Sequence, residues 1–295
     1  MKIKPDASRA FLEAKNVERR EDIAAPKDTS TPSVGKTQGE PRPVTAEDVR
    51  KTPAGTSSKH AFVQEISAHS KANAARLRDE NLTLLKDEPD PAAALEQLEQ
   101  EVARDLEVLV RRSAKGFAGV LRDLRMKTVW EEPGKRDPKY LGYREEVERE
   151  IGVFEHQPHY GYAAADDLMK GAGTEFGDVV VKLRGVEDRV TFCMFDSFDQ
   201  GTRDNYQQNC FTLEDLPQLI INQRLSKLFE EMPFAYDEAQ IFGGVQAADI
   251  SRVDLPEGPE FDALAKKTVE LLPWVEVQRY AKADDRATFG GGDPA

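Results

Sequence analysis

The sequence is poor in cysteine: its 295 residues include only Cys193 and Cys210, and no Cys-x-x-Cys pair. This scarcity excludes a disulfide-stabilised scaffold, argues against a zinc site built from thiolates, and is typical of a reducing compartment. The chain also lacks the apolar run of about 20 residues that a transmembrane helix needs, and its amino terminus lacks the apolar segment of a cleavable signal peptide. We therefore expect no membrane span and, if the protein leaves its producing cell, secretion without a cleavable signal peptide.

An excess of positive charge is also missing. The chain has 41 Lys and Arg against 54 Asp and Glu, a net charge of -13 at pH 7, which would repel a nucleic-acid backbone. We therefore expect proteins or small molecules as partners and no nucleic acid. Residues 1–60 hold 12 Lys and Arg against 9 Asp and Glu, and the remainder holds 29 against 45. The acidity thus belongs to the part of the chain that is expected to fold.

Residues 1–60 contain six prolines, many serines and threonines, and a single aromatic residue, Phe11. Such a segment buries too little apolar area to offset the entropy lost on ordering. The composition predicts a disordered leader at 1–60, and we expect a disordered tail at 286–295. A polar leader of this kind resembles the secretion signal of effectors that bacteria inject into host cells, although an ordinary flexible tail has the same composition.

Helical spacing of apolar residues predicts a helical region at 61–150. Within it, residues 90–126 are predicted to form one long amphipathic helix that begins at a capping aspartate, Asp90, followed by proline in the first turn. A Glu-Pro-Gly sequence at 132–134 breaks the pattern, and a short charged helix is predicted after it, at 138–151. We expect the acidic outer face of the long helix to be solvated.

The periodicity changes to that of β-strands in the region 151–285. Runs rich in β-branched and aromatic residues predict strands at 179–183, 189–195, 238–242, 252–255 and 273–280. Between them, a capping-box pattern at 212–215 precedes a helical pattern. The order of these elements predicts an α+β fold, in which the helical amino-terminal region is followed by a mixed, largely antiparallel sheet domain.

The first of four polar clusters in this domain is His156-Gln157-Pro158-His159-Tyr160-Gly161, which we interpret as a turn punctuated by Pro and Gly. Two histidines three residues apart have the spacing of a metal site on a helix, but Pro158 argues against a helix here. We therefore expect no metal.

The second and third clusters follow one another along a single predicted strand. Alternation places Arg189, Thr191 and Cys193 on one face of it, and the strand ends in a loop that begins with Asp196 and Ser197. Functional residues gather at strand ends. A solvated sheet face and an ordinary turn are the alternative interpretations.

In the fourth cluster, Glu238 and Gln240 are predicted to point to the same face of a strand that precedes two glycines. Glutamate has a poor β propensity, so its position at a strand start indicates a partner or a function. Paired glycines permit a bulge or a close backbone approach. An exposed edge strand is the alternative.

The domain contains, in order, the segments PHYG, FGDVVVKLR, RVTF, DSF and YDEAQIFGGV, followed by DI and VDLP. Together they resemble a family of bacterial toxins and effectors that look like ADP-ribosyltransferases. The resemblance covers about residues 155–256, and its most specific part is the EAQ tripeptide followed closely by glycine. It implies a sheet domain of ADP-ribosyltransferase type at 151–285, which transfers ADP-ribose from NAD, its co-substrate, to a host protein.

The resemblance also assigns roles to residues. Glu238 matches the catalytic glutamate of the family. The NAD-binding positions of the early strand fall on His156 or His159, with Tyr160 and Gly161, and further NAD-facing polar positions fall on Arg189, Thr191, Ser197 and Gln240. Tyr236 stands where arginine-modifying members have Glu or Gln, which implies a threonine or serine hydroxyl as acceptor, with ubiquitin as a candidate target in the host cytoplasm.

Two other functions fit the residues. Cys193 with His156 or His159 as its base would make a cysteine hydrolase, although the apolar neighbours of Cys193 favour an inert buried thiol. Alternatively, the chain is a non-catalytic interaction protein, in which the predicted long helix at 90–126 docks a partner and the sheet domain only binds.

Overall fold

The computed structural model describes residues 59–131, 138–171, 174–197, 200–228 and 236–281. The predicted disordered tail lies outside these residues, as does the predicted leader apart from Lys59 and His60. The described residues all belong to one compact unit.

The helices begin where the sequence supplies caps. Asp90 accepts a hydrogen bond from the backbone of Ala93, and Ser113 accepts one from Gly116, which satisfies donors that a helix start leaves unpaired. The predicted helix at 138–151 is confirmed. The α-helices are α1 (Ala61–Leu84), α2 (Pro91–Asp105), α3 (Ala114–Asp123), α4 (Pro138–Ile151), α5 (Asp167–Lys170), α6 (Arg203–Asn209), α7 (Leu216–Leu225) and α8 (Pro259–Leu271).

Among the described residues, ten strands form one large sheet and one small two-stranded sheet. The strands are β1 (Glu107–Arg112), β2 (Arg125–Met126), β3 (His159–Ala164), β4 (Val179–Leu183), β5 (Val190–Cys193), β6 (Cys210–Thr212), β7 (Glu238–Ile241), β8 (Val245–Gln246), β9 (Ile250–Pro256) and β10 (Glu276–Tyr280). The eight-stranded sheet has the order β10-β9-β4-β1-β3-β7-β5-β6, and β2 pairs with β8. Neighbouring strands of the eight-stranded sheet are antiparallel, except for β9 and β10, which are parallel. The predicted α+β class with a largely antiparallel sheet is confirmed.

The predicted long helix at 90–126 is wrong. Helix α2 ends at Asp105, and β1 then enters the middle of the large sheet before α3 begins. The run Val108-Leu109-Val110 is buried throughout, because this part of the sheet is covered on both faces, and a strand buried on both faces shows a continuous apolar run that also fits helical spacing.

The boundary predicted at residue 150 does not separate two cores. Leu77 of α1, Val110 of β1 and Val253 of β9 all belong to one apolar cluster. The predicted helical region therefore supplies a strand and part of the core to the sheet domain.

Strand β3 replaces most of the turn predicted at 156–161. A single turn of 3-10 helix ends at His156, Gln157 adopts a left-handed conformation with φ of 42°, and the strand starts at His159. Gly161 allows β3 to lie close to β1, because a Cβ atom at this position would be 2.3 Å from the backbone oxygen of Leu109. Here a glycine acts as a packing residue inside a sheet and not as a turn former.

Candidate functional site

Strands β3, β7 and β5 bring polar side chains to one face of the sheet. Residues directly opposite each other in paired strands share a face, and Tyr160 lies opposite Gln240, which lies opposite Thr191. Glu238 lies on the same face, two residues before Gln240. The predicted common orientation of Glu238 and Gln240 is confirmed, and the alternative of an exposed edge strand is wrong, since β7 is interior and buried.

Glu238 is a buried carboxyl, with only 3% of its surface exposed. The amide Nε2 of Gln240 donates a hydrogen bond to Glu238 Oε1 at 3.2 Å, and Ser197 supplies a further side-chain hydrogen bond. Burial raises the pKa of Glu238 above its ordinary value, and the charge of Asp196 raises it further, whereas Arg144 opposes the shift. The protein thus holds this carboxyl closer to its protonated form than an exposed glutamate.

Gln240 has a fixed orientation. Its Oε1 accepts hydrogen bonds from Tyr206 Oη at 2.6 Å and from Thr191 Oγ1 at 3.1 Å. Because both donors bind the amide oxygen, the amide nitrogen must face Glu238. Thr191, predicted to face NAD, therefore orients Gln240 in this structure.

The segment after β5 is anchored to the start of β7, which places Asp196 and Ser197 beside Glu238. The backbone N–H of Glu238 donates to the carbonyl oxygen of Phe195 at 3.1 Å, and the backbone N–H of Phe195 donates to Asp237 Oδ1 at 3.4 Å. Phe195 itself has a φ of 63°, a left-handed conformation that is uncommon for an aromatic residue. The strand end predicted to be functional thus turns sharply back towards the carboxyl.

A second buried carboxyl, Glu148 of α4, is hydrogen-bonded both to Tyr160 of β3 and to Arg144, which is also in α4. Glu148 is 1% exposed and accepts hydrogen bonds from Tyr160 Oη at 2.6 Å, Arg144 Nε at 2.6 Å and Trp130 Nε1 at 2.9 Å. The guanidinium carbon of Arg144 lies 3.7 Å from the centre of the Tyr160 ring, and Arg144 Nη1 donates to Tyr140 Oη at 2.6 Å. Charged hydrogen bonds and a cation–π contact thus hold Tyr160 in place.

The sequence interpretation missed these helical residues because α4 was predicted only as a short charged helix that leads into the sheet domain. A signal was present: Arg144, Glu148 and Ile151 are spaced by four and three residues, so they lie on the stripe of the helix that faces the core. Tyr140, four residues before Arg144, is exposed at the start of the helix. Arg144 and Glu148 are both buried. Charged residues at core-facing positions therefore pointed to the site.

Arg189, predicted to bind NAD, has structural partners. It forms an ion pair with Asp249 at 2.7 Å and donates to the backbone oxygens of Phe242, at 2.9 Å, and Gly244. These contacts hold the turn between β7 and β8, so the guanidinium is engaged at the end of β7 opposite to Glu238.

The two predicted NAD-binding histidines lie in different surroundings. His156 packs among aromatic rings, with ring centres 5.1 Å from His60, 5.5 Å from Phe62 and 5.9 Å from Phe242. His159 lies opposite Ile241, on the face of the sheet away from Tyr160. Burial lowers the pKa of His159 to about 3, and the charge of Arg112 acts in the same direction.

Gly161 also lies on the apolar face, opposite Ala239. Of the residues predicted for the early strand, Tyr160 is therefore the one whose side chain is on the face of Glu238.

Cys193 is completely buried on the Glu238 face of β5. Burial raises the pKa of its thiol well above the ordinary value, and the charge of Glu238 adds to this effect. Its Sγ donates to the backbone oxygen of Met194 at 3.7 Å, and among the described residues no hydrogen bond joins it to a histidine. These surroundings disfavour the thiolate that a cysteine hydrolase needs.

A cavity of about 390 Å³ among the described residues lies away from the Glu238 cluster. Its lining includes Lys59, Lys182, Glu187 and Glu214 but not Glu238. Cations and anions are mixed around it, so it offers no consistent charge to a ligand. Buried polar contacts, and not cavity size, single out the Glu238 cluster.

Within the part of the chain that the structure describes, no group of His, Cys, Asp and Glu side chains is arranged to hold a metal ion. In the same residues, no helix is long and apolar enough to cross a membrane. No protein-family model and no curated protein matches the chain. The site must therefore be interpreted from its own chemistry.

Proposed function

We propose that the chain is a mono-ADP-ribosyltransferase that uses Glu238 to transfer ADP-ribose from NAD to a protein side chain. One observation carries the proposal: a buried glutamate on an interior strand shares a face with Tyr160, Gln240 and Thr191, and is hydrogen-bonded by Gln240 and Ser197. Ionisable groups with perturbed pKa values gather at functional sites. The sheet would then be of ADP-ribosyltransferase type.

The chemistry requires a carboxylate at such a position. When the bond between nicotinamide and ribose C1′ breaks, its electron pair leaves with nicotinamide and positive charge develops on the ribose, as in glycoside hydrolysis. A carboxylate beside the ribose binds this charged state more tightly than the substrate and so lowers the barrier. The acceptor oxygen then bonds to C1′ and loses its proton to a base, for which Glu238 is available.

Other groups of the cluster would bind and orient NAD. The amide of Gln240 is already held in one orientation, and Ser197 places a hydroxyl next to the Glu238 carboxylate. Tyr160 supplies an aromatic ring on the same face. Preset polar groups lose little entropy when a ligand binds.

Tyr236 supports a hydroxyl acceptor rather than an arginine. Its Oη donates to Asp196 Oδ2 at 3.2 Å, and its ring lies edge-to-face with Phe176, with centres 5.9 Å apart. A neutral aromatic residue two positions before Glu238 offers no carboxylate to pair with an acceptor guanidinium. We propose a bacterial effector, secreted without a cleavable signal peptide, that modifies threonine or serine of a host cytoplasmic protein, with ubiquitin as the first target to test.

The test is the release of nicotinamide from NAD, measured by chromatography, together with transfer of labelled ADP-ribose to ubiquitin and to host-cell extract. Glu238→Gln keeps the size and polarity of the side chain but removes its charge, and we expect it to lower both rates about 100-fold or more. Glu145→Gln, which changes an exposed glutamate of α4, is the matched control and should leave both rates unchanged.

Two results would contradict the proposal. The first is a Glu238→Gln variant with the rates of the unmodified protein. The second is the absence of both NAD cleavage and a rise in melting temperature with millimolar NAD, since a ligand that binds only the folded state must stabilise it. The second result would favour a non-catalytic interaction protein.

A further inference from the structure

We propose that Arg144 is a positioning residue for Glu238: held by Glu148 and Tyr140 and stacked on Tyr160, it keeps a positive charge on the Glu238 face of the sheet and fixes the tyrosine ring. This inference rests on the proposed function, because it takes Glu238 as the catalytic carboxylate.

The burial of Arg144 is the first argument. Only 6% of this residue is exposed, and taking a guanidinium out of water is costly unless other groups replace its hydration. Three side chains do so: Glu148 accepts from Nε, Tyr140 accepts from Nη1, and Tyr160 offers its ring face at 3.7 Å. So many partners on one buried cation define its position closely.

Second, several charged and titratable groups influence the ionisation of the Glu238 carboxyl. Asp196, from the segment after β5, is an anion. Arg144, from α4, is a cation that forms a buried ion pair with Glu148, an anion of the same helix. Tyr160, Cys193 and Tyr206, from β3, β5 and α6, are neutral titratable groups. Burial and Asp196 raise the pKa of Glu238, and Arg144 lowers it. The ionised form needed when charge develops on the ribose therefore depends on Arg144.

The third argument is that Tyr160 connects the arginine to the proposed NAD site. Its hydroxyl donates to Glu148, its ring lies under Arg144, and it faces Gln240 across the pair of strands. Moving Arg144 would therefore disturb the ring and the charge at the same time. If Arg144 and Glu148 had a purely structural role and only attached α4 to the sheet, substituting either residue would change the pH dependence of NAD cleavage in the same direction.

The experiment measures the pH dependence of NAD cleavage for Arg144→Gln, Arg144→Lys and Glu148→Gln. Removing the cation favours protonation of Glu238, so Arg144→Gln should move the acidic limb of the rate profile up by about one pH unit. Arg144→Lys keeps the charge and should keep the limb near its original place. Glu148→Gln removes an anion and should move the limb down.

The control is Arg149→Gln, which changes an exposed arginine one turn further along α4 that pairs with Glu145. It should leave the profile unchanged. Circular dichroism spectra identify variants that fail to fold; if Arg144→Gln is one of them, the opposite shift in Glu148→Gln still tests the proposal. The proposal would be overturned if the acidic limb of the pH–rate profile stayed at the same pH in all folded variants. It would also be overturned if the limb moved in the same direction in Arg144→Gln and Glu148→Gln.

A second readout separates this inference from the proposed function. The titration of the Glu238 carboxyl, followed by NMR of protein with 13C-labelled glutamate and assigned by its loss in Glu238→Gln, needs no catalysis. If the protein does not cleave NAD, the proposed function fails, and the titration alone decides whether Arg144 controls the charge of Glu238. Equal midpoints in the unmodified protein and Arg144→Gln would overturn the inference even in an active enzyme.

Discussion

Glu107 and Glu238 are both buried on the same face of the large sheet, but their surroundings are opposite. Glu107 accepts hydrogen bonds from Lys182 at 2.8 Å and from Arg252 at 3.0 and 3.2 Å. Burial opposes its ionisation, yet these cations outweigh it and lower the pKa of Glu107. Glu238 has neutral hydrogen-bond donors and an anionic neighbour, and its pKa is raised. Burial acts to raise both pKa values; the neighbouring cations outweigh it at Glu107, whereas Arg144 does not outweigh it at Glu238.

The difference also divides the sheet. On the side of β4 and β9, side chains of opposite charge neutralise each other around Glu107, whereas on the side of β7 and β5 the charges are incompletely balanced around Glu238. Polar groups that are not optimised for stability are expected where function requires them. Strand β3, with its neighbour β1, joins these two parts.

The largest effect is expected from Gly161→Ala, because Gly161 lies where β3 packs against β1, between the two sides of the sheet. The new Cβ atom would meet the backbone oxygen of Leu109 at 2.3 Å, and neither backbone can move without disturbing the pairing of β1 and β3. We expect the free energy of unfolding to fall by at least about 3 kcal/mol. Urea unfolding measures the change.

The matched control for that variant is Gly142→Ala. Gly142 lies in α4, and nothing lies within 4 Å of the position that a Cβ atom would take there, so alanine should be neutral or stabilising by up to about 1 kcal/mol. An unchanged stability in Gly161→Ala would show that β1 and β3 are not as close as described.

A smaller effect is expected when Glu107 loses its charge. Glu107→Gln weakens charged hydrogen bonds to Arg252 and Lys182, and we expect a loss of about 1.5 to 3 kcal/mol in the free energy of unfolding. The folded fraction should cleave NAD at the original rate, because Glu107 is structural. If Glu107→Gln instead abolished cleavage by folded protein, the division between a structural and a reactive glutamate would be wrong.

The smallest effect concerns pH. A raised pKa means that the folded state binds the proton more tightly than the unfolded chain, so ionisation of Glu238 lowers stability as pH rises above about 4.3, the ordinary glutamate value. A lowered pKa has the opposite sign, so Glu107 contributes stability above that pH and loses it as pH falls. Relative to the unmodified protein, Glu238→Gln should therefore gain stability with rising pH, and Glu107→Gln should lose it.

Urea unfolding between about pH 2 and pH 8 measures this pair of trends, with the Glu107 effect below about pH 4.3 and the Glu238 effect above it. Two variants that change in the same direction with pH would contradict the assignment of opposite pKa shifts.

Part of this arrangement could be predicted from the sequence. The alternation of Glu238, Ala239, Gln240 and Ile241 predicted the facing of β7 correctly, and the apolar neighbours of Cys193 indicated its burial. Both predictions depend on local periodicity, because successive side chains of a strand always point to opposite faces of the sheet. The α+β class followed from the same patterns.

The remainder depends on contacts between distant segments. Strand β1 was mistaken for helix because a strand buried on both faces has no alternation. Arg144 and Glu148 were not predicted as site residues because nothing near them in the sequence shows that Tyr160, on a strand, occupies the space beside them. Arg189 was predicted to face NAD from the family resemblance, and its ion pair with Asp249, 60 positions away, could not be recognised from the sequence.

The hydrogen bond from Trp130 to Glu148 has a consequence for spectroscopy. The sequence has two tryptophans: Trp274 packs against the main apolar cluster, whereas the indole of Trp130 donates to the carboxylate that also holds Arg144 and Tyr160. Indole emission responds to nearby charge, so fluorescence from Trp130 is an intrinsic, label-free indicator of the state of the Glu148 network.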